Sequence, residues 1–130
     1  MIAVDTNVLL RFSIGDDPQQ GKIAKRFFDD LVTADETAFI AAATFAEFIW
    51  VLQRRYRVRR DELPLIVETL LNVPNLKFEH EAAIRHAIAA AEGDLVDRLI
   101  HFIGATAGCE RTVTFDHSFA RLDGVDLLRR

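Results

Sequence analysis

At 130 residues the chain has the length of one domain, half of it is hydrophobic, and its formal net charge is −4. A sizeable core is therefore possible, while binding to nucleic acid through bulk positive charge is disfavoured. A single cysteine, Cys109, excludes an internal disulfide and fits a reducing cytoplasm, and no apolar run is as long as a membrane span.

Met1-Ile2-Ala3-Val4 reads as a short buried strand that meets an acid at Asp5, too soon for a secretory leader. Asp16-Asp17-Pro18 is a helix start, because proline suits the first turn and an acid caps it. Ile23, Ala24, Phe27, Phe28 and Leu31 then recur at helical spacing. Residues 37–41 read as a second strand. Phe45, Phe48, Ile49 and Leu52 mark a helix, and residues 61–71 another, with Leu63, Ile66, Val67 and Leu70 on one face. A strand follows Pro74 and runs to Phe78. Ala83, Ile84, Ala87, Ile88 and Ala91 form a helical stripe closed by Gly93. A last long helix, residues 95–107, is closed by Gly108, and strands are expected at 112–115 and 125–128. Strands alternating with helices predict a parallel sheet covered on both faces. Sites in such sheets form outside the carboxyl ends of the strands, where Asp5 and Asp116 fall.

The acids carry the functional signal. Asp5, in Val4-Asp5-Thr6-Asn7, reads equally as a helix cap and as a site acid at a strand end. Glu47 lies in the apolar run from Phe45 to Leu52, which predicts a buried carboxylate. It would either pair with Arg54 or serve a site. Asp94 and Asp97 are three apart and share a helical face with His101. Asp94 is a natural cap. Asp97 sits in the first turn, where the helix dipole favours negative charge. His101 reads as a structural histidine more readily than as a ligand. Asp116 reads as a turn or as the cap of a short helix from His117 to Leu122, and also as a site acid beside Thr114 on the same side of its strand. Two carboxylates about 4 Å apart repel by roughly 4 kcal/mol at an effective dielectric of about 20. Four converging acids would therefore need a cation, and hard oxygen donors point to Mg²⁺ or Mn²⁺. No Cys/His spacing suggests zinc.

Arg54, Arg55, Arg57, Arg59 and Arg60 fall within seven positions. Arg54, Arg55 and Arg57 are candidates for an RNA path with Tyr56 as a stacking base partner. A solvated helix end is the alternative.

Read in order, five stretches resemble the PIN domain, and within it the VapC-type toxin ribonucleases. They are residues 4–10, Asp16-Asp17-Pro18-Gln19, residues 46–52, residues 94–100 and Thr114-Phe115-Asp116. The resemblance spans nearly the whole chain and implies a single PIN domain over residues 1–130. It implies a three-layer α/β/α fold with a central, mainly parallel sheet of four to five strands. It also implies a cytoplasmic, Mg²⁺-dependent endoribonuclease, a small VapB-like antitoxin and a homodimer or higher homo-oligomer. On this match Asp5, Glu47, Asp97 and Asp116 take the catalytic and metal positions, and Asp94 an accessory one. Thr6, Asn7 and Thr114 match polar supporters. Arg98 and His101 depart from the family pattern, which has small residues after the third acid.

Two rivals are a PIN-like RNA-binding module without catalysis and a phospho-receiver-like signalling domain. The receiver would need a late lysine after a strand, and the lysines are Lys22, Lys25 and Lys77. The full set of acids argues against a lost activity.

Overall fold

The computed structural model describes residues 1–90 and 92–129, and the chain divides into two compact units, Met1–Glu79 and His80–Arg130. The first unit runs β1 (Ile2–Ala3), α1 (Thr6–Ser13), α2 (Pro18–Thr33), β2 (Ala38–Ile40), α3 (Ala42–Arg54), α4 (Leu63–Leu71) and β3 (Leu76–Phe78). Its strands lie in the order β1-β2-β3 and pair in parallel, with Ile2 opposite Ala38 and Ala38 opposite Leu76. Ala38 and Ile40 are fully buried, as a strand flanked by parallel neighbours requires.

Local chemistry sets the helix starts. Asp17 caps α2 by accepting from Gln20 N–H at 3.0 Å, and Pro18 occupies the first turn. The buried stripe of α2 is Ala24, Phe28 and Leu31, whereas Ile23, expected on that face, is 63% exposed. The start of α3 has no cap of its own. Glu79 supplies one from the end of β3, accepting from Ala42 N–H at 2.7 Å. The core beneath α3 is Phe45, Phe48, Ile49 and Leu52, joined by Leu9 and by Leu63, Val67 and Leu70 of α4. Phe45 meets Phe78 edge-on at 6.2 Å.

The second unit holds α5 (Glu81–Ala89), α6 (Leu95–Thr106), β4 (Thr112–Thr114), a 3-10 turn at Phe119–Arg121 and β5 (Val125–Leu127). β4 and β5 pair in parallel, with Thr112 opposite Val125. α5 packs on α6 through Ala83, Ile84 and Ala87, with Leu95 and Leu99 buried on α6. Ala91, the last position of the expected stripe, lies outside the described residues. Among the described residues the strands pair in parallel, as a set of three and a set of two.

The opening strand, read as buried, is exposed at Ile2 and Ala3, and only Val4 behind it is buried. Cys109 is exposed; it follows Gly108, whose φ of 94° turns the chain out of α6. Phe115 is exposed, as are Trp50, Ile23, Leu65 and Ile100. No helix among the described residues is long and apolar enough to cross a membrane.

Candidate active site

The first unit carries Asp5 and Glu47. Asp5 follows β1 and caps α1: its Oδ1 accepts from Thr6 N–H at 2.7 Å, and its backbone is extended at φ −82° and ψ 159°. Thr6 is buried beneath it and Asn7 is exposed beside it. Asp5 and Asn7 line a cavity of about 790 Å³ with Ile2, Arg11, Gln20 and Phe27. Glu47 lies on α3, which packs against α1. It is exposed, not buried as its sequence neighbours suggested. Phe45, Phe48 and Ile49 turn into the core at helical spacing and leave position 47 on the outer face. Arg54 does not pair with it; the guanidinium lies 5.3 Å from the centre of the Trp50 ring instead.

The second unit carries Asp94, Asp97 and Asp116. Asp94 is the cap of α6, with Oδ1 accepting from Val96 N–H at 2.9 Å and from Asp97 N–H at 3.1 Å. Asp97 follows in the first turn, half-buried. Asp116 lies just past β4, and its Oδ1 accepts from Ser118 N–H at 2.8 Å and Phe119 N–H at 3.2 Å. The Thr114 hydroxyl accepts from Asp116 N–H at 3.0 Å, so Thr114 shapes the turn that presents the acid. The short helix expected at 117–122 is the 3-10 turn Phe119–Arg121.

The capping and site readings of these acids turn out to be compatible. Asp5, Asp94 and Asp116 each spend Oδ1 on backbone N–H groups, and among the described residues their Oδ2 atoms accept no hydrogen bond. Each carboxylate is thus oriented with an oxygen to spare, which suits a hard cation. Within neither unit, among the described residues, do three His, Cys, Asp or Glu side chains form a group able to hold a metal.

Arg98 and His101 have structural roles. Arg98 is buried, and its Nε donates to Ala87 O at 2.8 Å. Its Nη1 donates to Glu92 O at 2.6 Å and Gly93 O at 2.7 Å. It fixes the turn that delivers Asp94 and Asp97. His101 Nδ1 lies 2.8 Å from Thr112 Oγ1, and its ring packs on Gly124.

In the arginine run, Arg54, Arg55 and Arg57 are exposed. Tyr56 is anchored through its hydroxyl. Its hydroxyl donates to Asp16 Oδ2 at 2.7 Å and accepts from Arg11 Nη1 at 3.3 Å. Arg11 also reaches Asp16 Oδ1 at 3.1 Å and Gln20 Oε1 at 2.7 Å. The Tyr56 hydroxyl, and then the Arg11 guanidinium, hold the Asp16 carboxyl below the usual aspartate range.

The PIN-domain family description matches residues 2–125. The chain belongs to the PIN-domain family. Among curated relatives this PIN domain is 29% identical over 125 residues to a VapC ribonuclease of Aquifex aeolicus (strain VF5). That alignment covers 94% of this chain and 92% of the relative. Among solved structures it matches Mycobacterium tuberculosis VapC20, described as a Sarcin-Ricin loop cleaving toxin, at 20% identity and a TM-score of 0.41. The match covers 96% of this PIN domain and 97% of that chain, a likeness too distant to argue from. The resemblance read in the five stretches is thus met by the family match and by the curated relative.

Proposed function

We propose that this PIN domain is a Mg²⁺-dependent endoribonuclease of the VapC toxin type, restrained by a small VapB-like antitoxin. The observation that carries the reading is the extent of the family match. It spans both units and contains Asp5, Glu47, Asp97 and Asp116. The curated relative, aligned over nearly its whole length, is a ribonuclease.

Asp5, Glu47, Asp97 and Asp116 would hold Mg²⁺, or Mn²⁺ in its place, with Asp94 as an accessory acid. When bound, such an ion lowers the pKa of a coordinated water and offsets negative charge on the phosphate under attack. The chain's own residues prepare for this. Thr6 N–H fixes the Asp5 carboxylate. The 3-10 turn fixes that of Asp116. The start of α6 favours a negative Asp97 through its dipole. No serine or cysteine nucleophile is required.

The natural partners are RNA, an antitoxin and a second copy of the chain, in the cytoplasm. Ile23, Leu65, Ile100 and Phe115, each more than half exposed, supply apolar surface for association. The test is RNA digestion with Mg²⁺ and with chelator, followed by end-group analysis. The reading expects Mg²⁺-dependent cuts leaving 5′-phosphate and 3′-hydroxyl ends. Cleavage in chelator, or 2′,3′-cyclic phosphate ends, would contradict it.

A further inference from the structure

The exposed positions of α3 are Ala43, Glu47, Trp50 and Arg54. Their spacing of four, three and four residues places them in one stripe along the helix. The stripe therefore leads from a candidate site acid to a tryptophan one turn away and an arginine two turns away. Trp50 is 55% exposed, and the Arg54 guanidinium lies 5.3 Å from its ring centre. A guanidinium held over an indole by cation–π attraction still has N–H donors to offer a phosphate.

The surroundings are basic although the chain is acidic. Arg54, Arg55, Arg57 and Arg60 are exposed and have no carboxylate partner among the described residues, whereas Arg59 pairs with Asp61 and Glu62. The segment is also held in place. Tyr56 is fastened to Asp16 and Arg11, and Arg57 follows at a left-handed φ of 53°. Trp50 is the one large apolar side chain in the stripe, so α3 offers no contiguous apolar face for a protein partner. An unpaired nucleobase needs only a π surface, and its phosphate needs a cation.

We propose that Trp50 and Arg54 form a landing platform for single-stranded RNA, one base stacking on the indole and the neighbouring phosphate binding the guanidinium. The proposal rests on the ribonuclease reading and adds to it the side chains that seat the substrate beside Glu47. Tyr56 acts as a positioning residue that holds the basic segment next to the platform.

Trp50 is the chain's sole tryptophan, so its fluorescence reports on the platform directly. The full chain is titrated with unstructured oligouridylate and oligoadenylate in chelator, where cleavage is stopped. Saturable quenching is expected, with affinity falling on the order of tenfold in Arg54→Ala. In Mg²⁺, Trp50→Ala is expected to raise KM by a similar factor with little change in kcat, and Trp50→Phe to restore most of the loss. RNA cleavage by the wild type with no quenching, or an unchanged KM in Trp50→Ala, would overturn the platform and leave the ribonuclease reading standing. A signal that follows protein concentration instead of RNA would assign the stripe to self-association and overturn the proposal. Absence of both cleavage and binding would overturn the ribonuclease reading and the platform together.

Discussion

Arg98 donates from Nη1 to the carbonyl oxygen of Gly93 at 2.7 Å, tying the turn ahead of α6 to that helix's first turns. The same side chain reaches Glu92 O at 2.6 Å and Ala87 O at 2.8 Å. One buried cation thereby satisfies three carbonyls that a turn between α5 and α6 would otherwise leave unpaired. The residues it steadies are those that lead into Asp94 and Asp97.

Replacing Arg98 should therefore be costly. Arg98→Met keeps the apolar stem and removes three charge-assisted hydrogen bonds. A loss of roughly 3 kcal/mol is expected, read by urea unfolding. Arg98→Lys should recover little of it, because the one nitrogen of an ammonium cannot stand at both the Nε and the Nη1 positions. Stability within about 0.5 kcal/mol of wild type in Arg98→Met would show that the carbonyls find other partners.

Gly124 offers a second test within the same unit. It has a φ of 85°, and a Cβ there would stand 3.0 Å from His101 Cε1 and 3.2 Å from Nε2. Gly124→Ala combines backbone strain with a clash, so a loss of about 1–3 kcal/mol is expected. His101→Ala should relieve the clash, making the double variant less destabilised than the sum of the two changes.

Tyr56 and Asp16 predict a pH effect. The Tyr56 hydroxyl, with Arg11 behind it, lowers the Asp16 pKa in the folded state. A lowered carboxyl pKa contributes stability above the unfolded pKa and loses it as pH falls through the folded value. Tyr56→Phe removes the largest cause. Its stability deficit should be greatest near neutral pH and shrink as the pH falls below the aspartate range. A deficit that stays constant across that range would place the effect elsewhere.

Much of the fold was legible because its signals are local. Asp17-Pro18 starts α2, and the alternation of short apolar runs with helical stripes gives parallel strands. Glu47 misleads because chain neighbours are not surface neighbours on a helix. Phe48 and Ile49 are buried while Glu47 and Trp50 face out. Arg98 reads as a departure from pattern because its partners are main-chain carbonyls, which no side-chain motif records. The Glu79 cap on Ala42 comes from 37 residues away, beyond the reach of any local start signal. The acids themselves were legible one at a time, and the structure adds that Asp5, Asp94 and Asp116 use a single oxygen each for capping.

A partner that inhibits through this acidic set should compete with metal. A guanidinium pairs bidentately with carboxylates and would displace a divalent ion. Titrating Mg²⁺ or Mn²⁺ into the inhibited complex should restore RNA cleavage in proportion to metal. Inhibition insensitive both to metal and to replacement of the partner's arginines would mean that the partner blocks the RNA path or the dimer surface instead.

Under the proposed function, Asp5 and Asp97 both serve metal-dependent hydrolysis of RNA. Asp5→Asn keeps a good helix cap and removes the ligand charge, and Asp97→Asn keeps the side-chain shape. The direct measurement is the Mg²⁺-dependent cleavage rate of each variant beside wild type, with far-UV circular dichroism recorded on the same samples. Each substitution is expected to lower the rate by roughly 100-fold or more while the spectrum is unchanged. Wild-type cleavage by either folded variant would contradict that function.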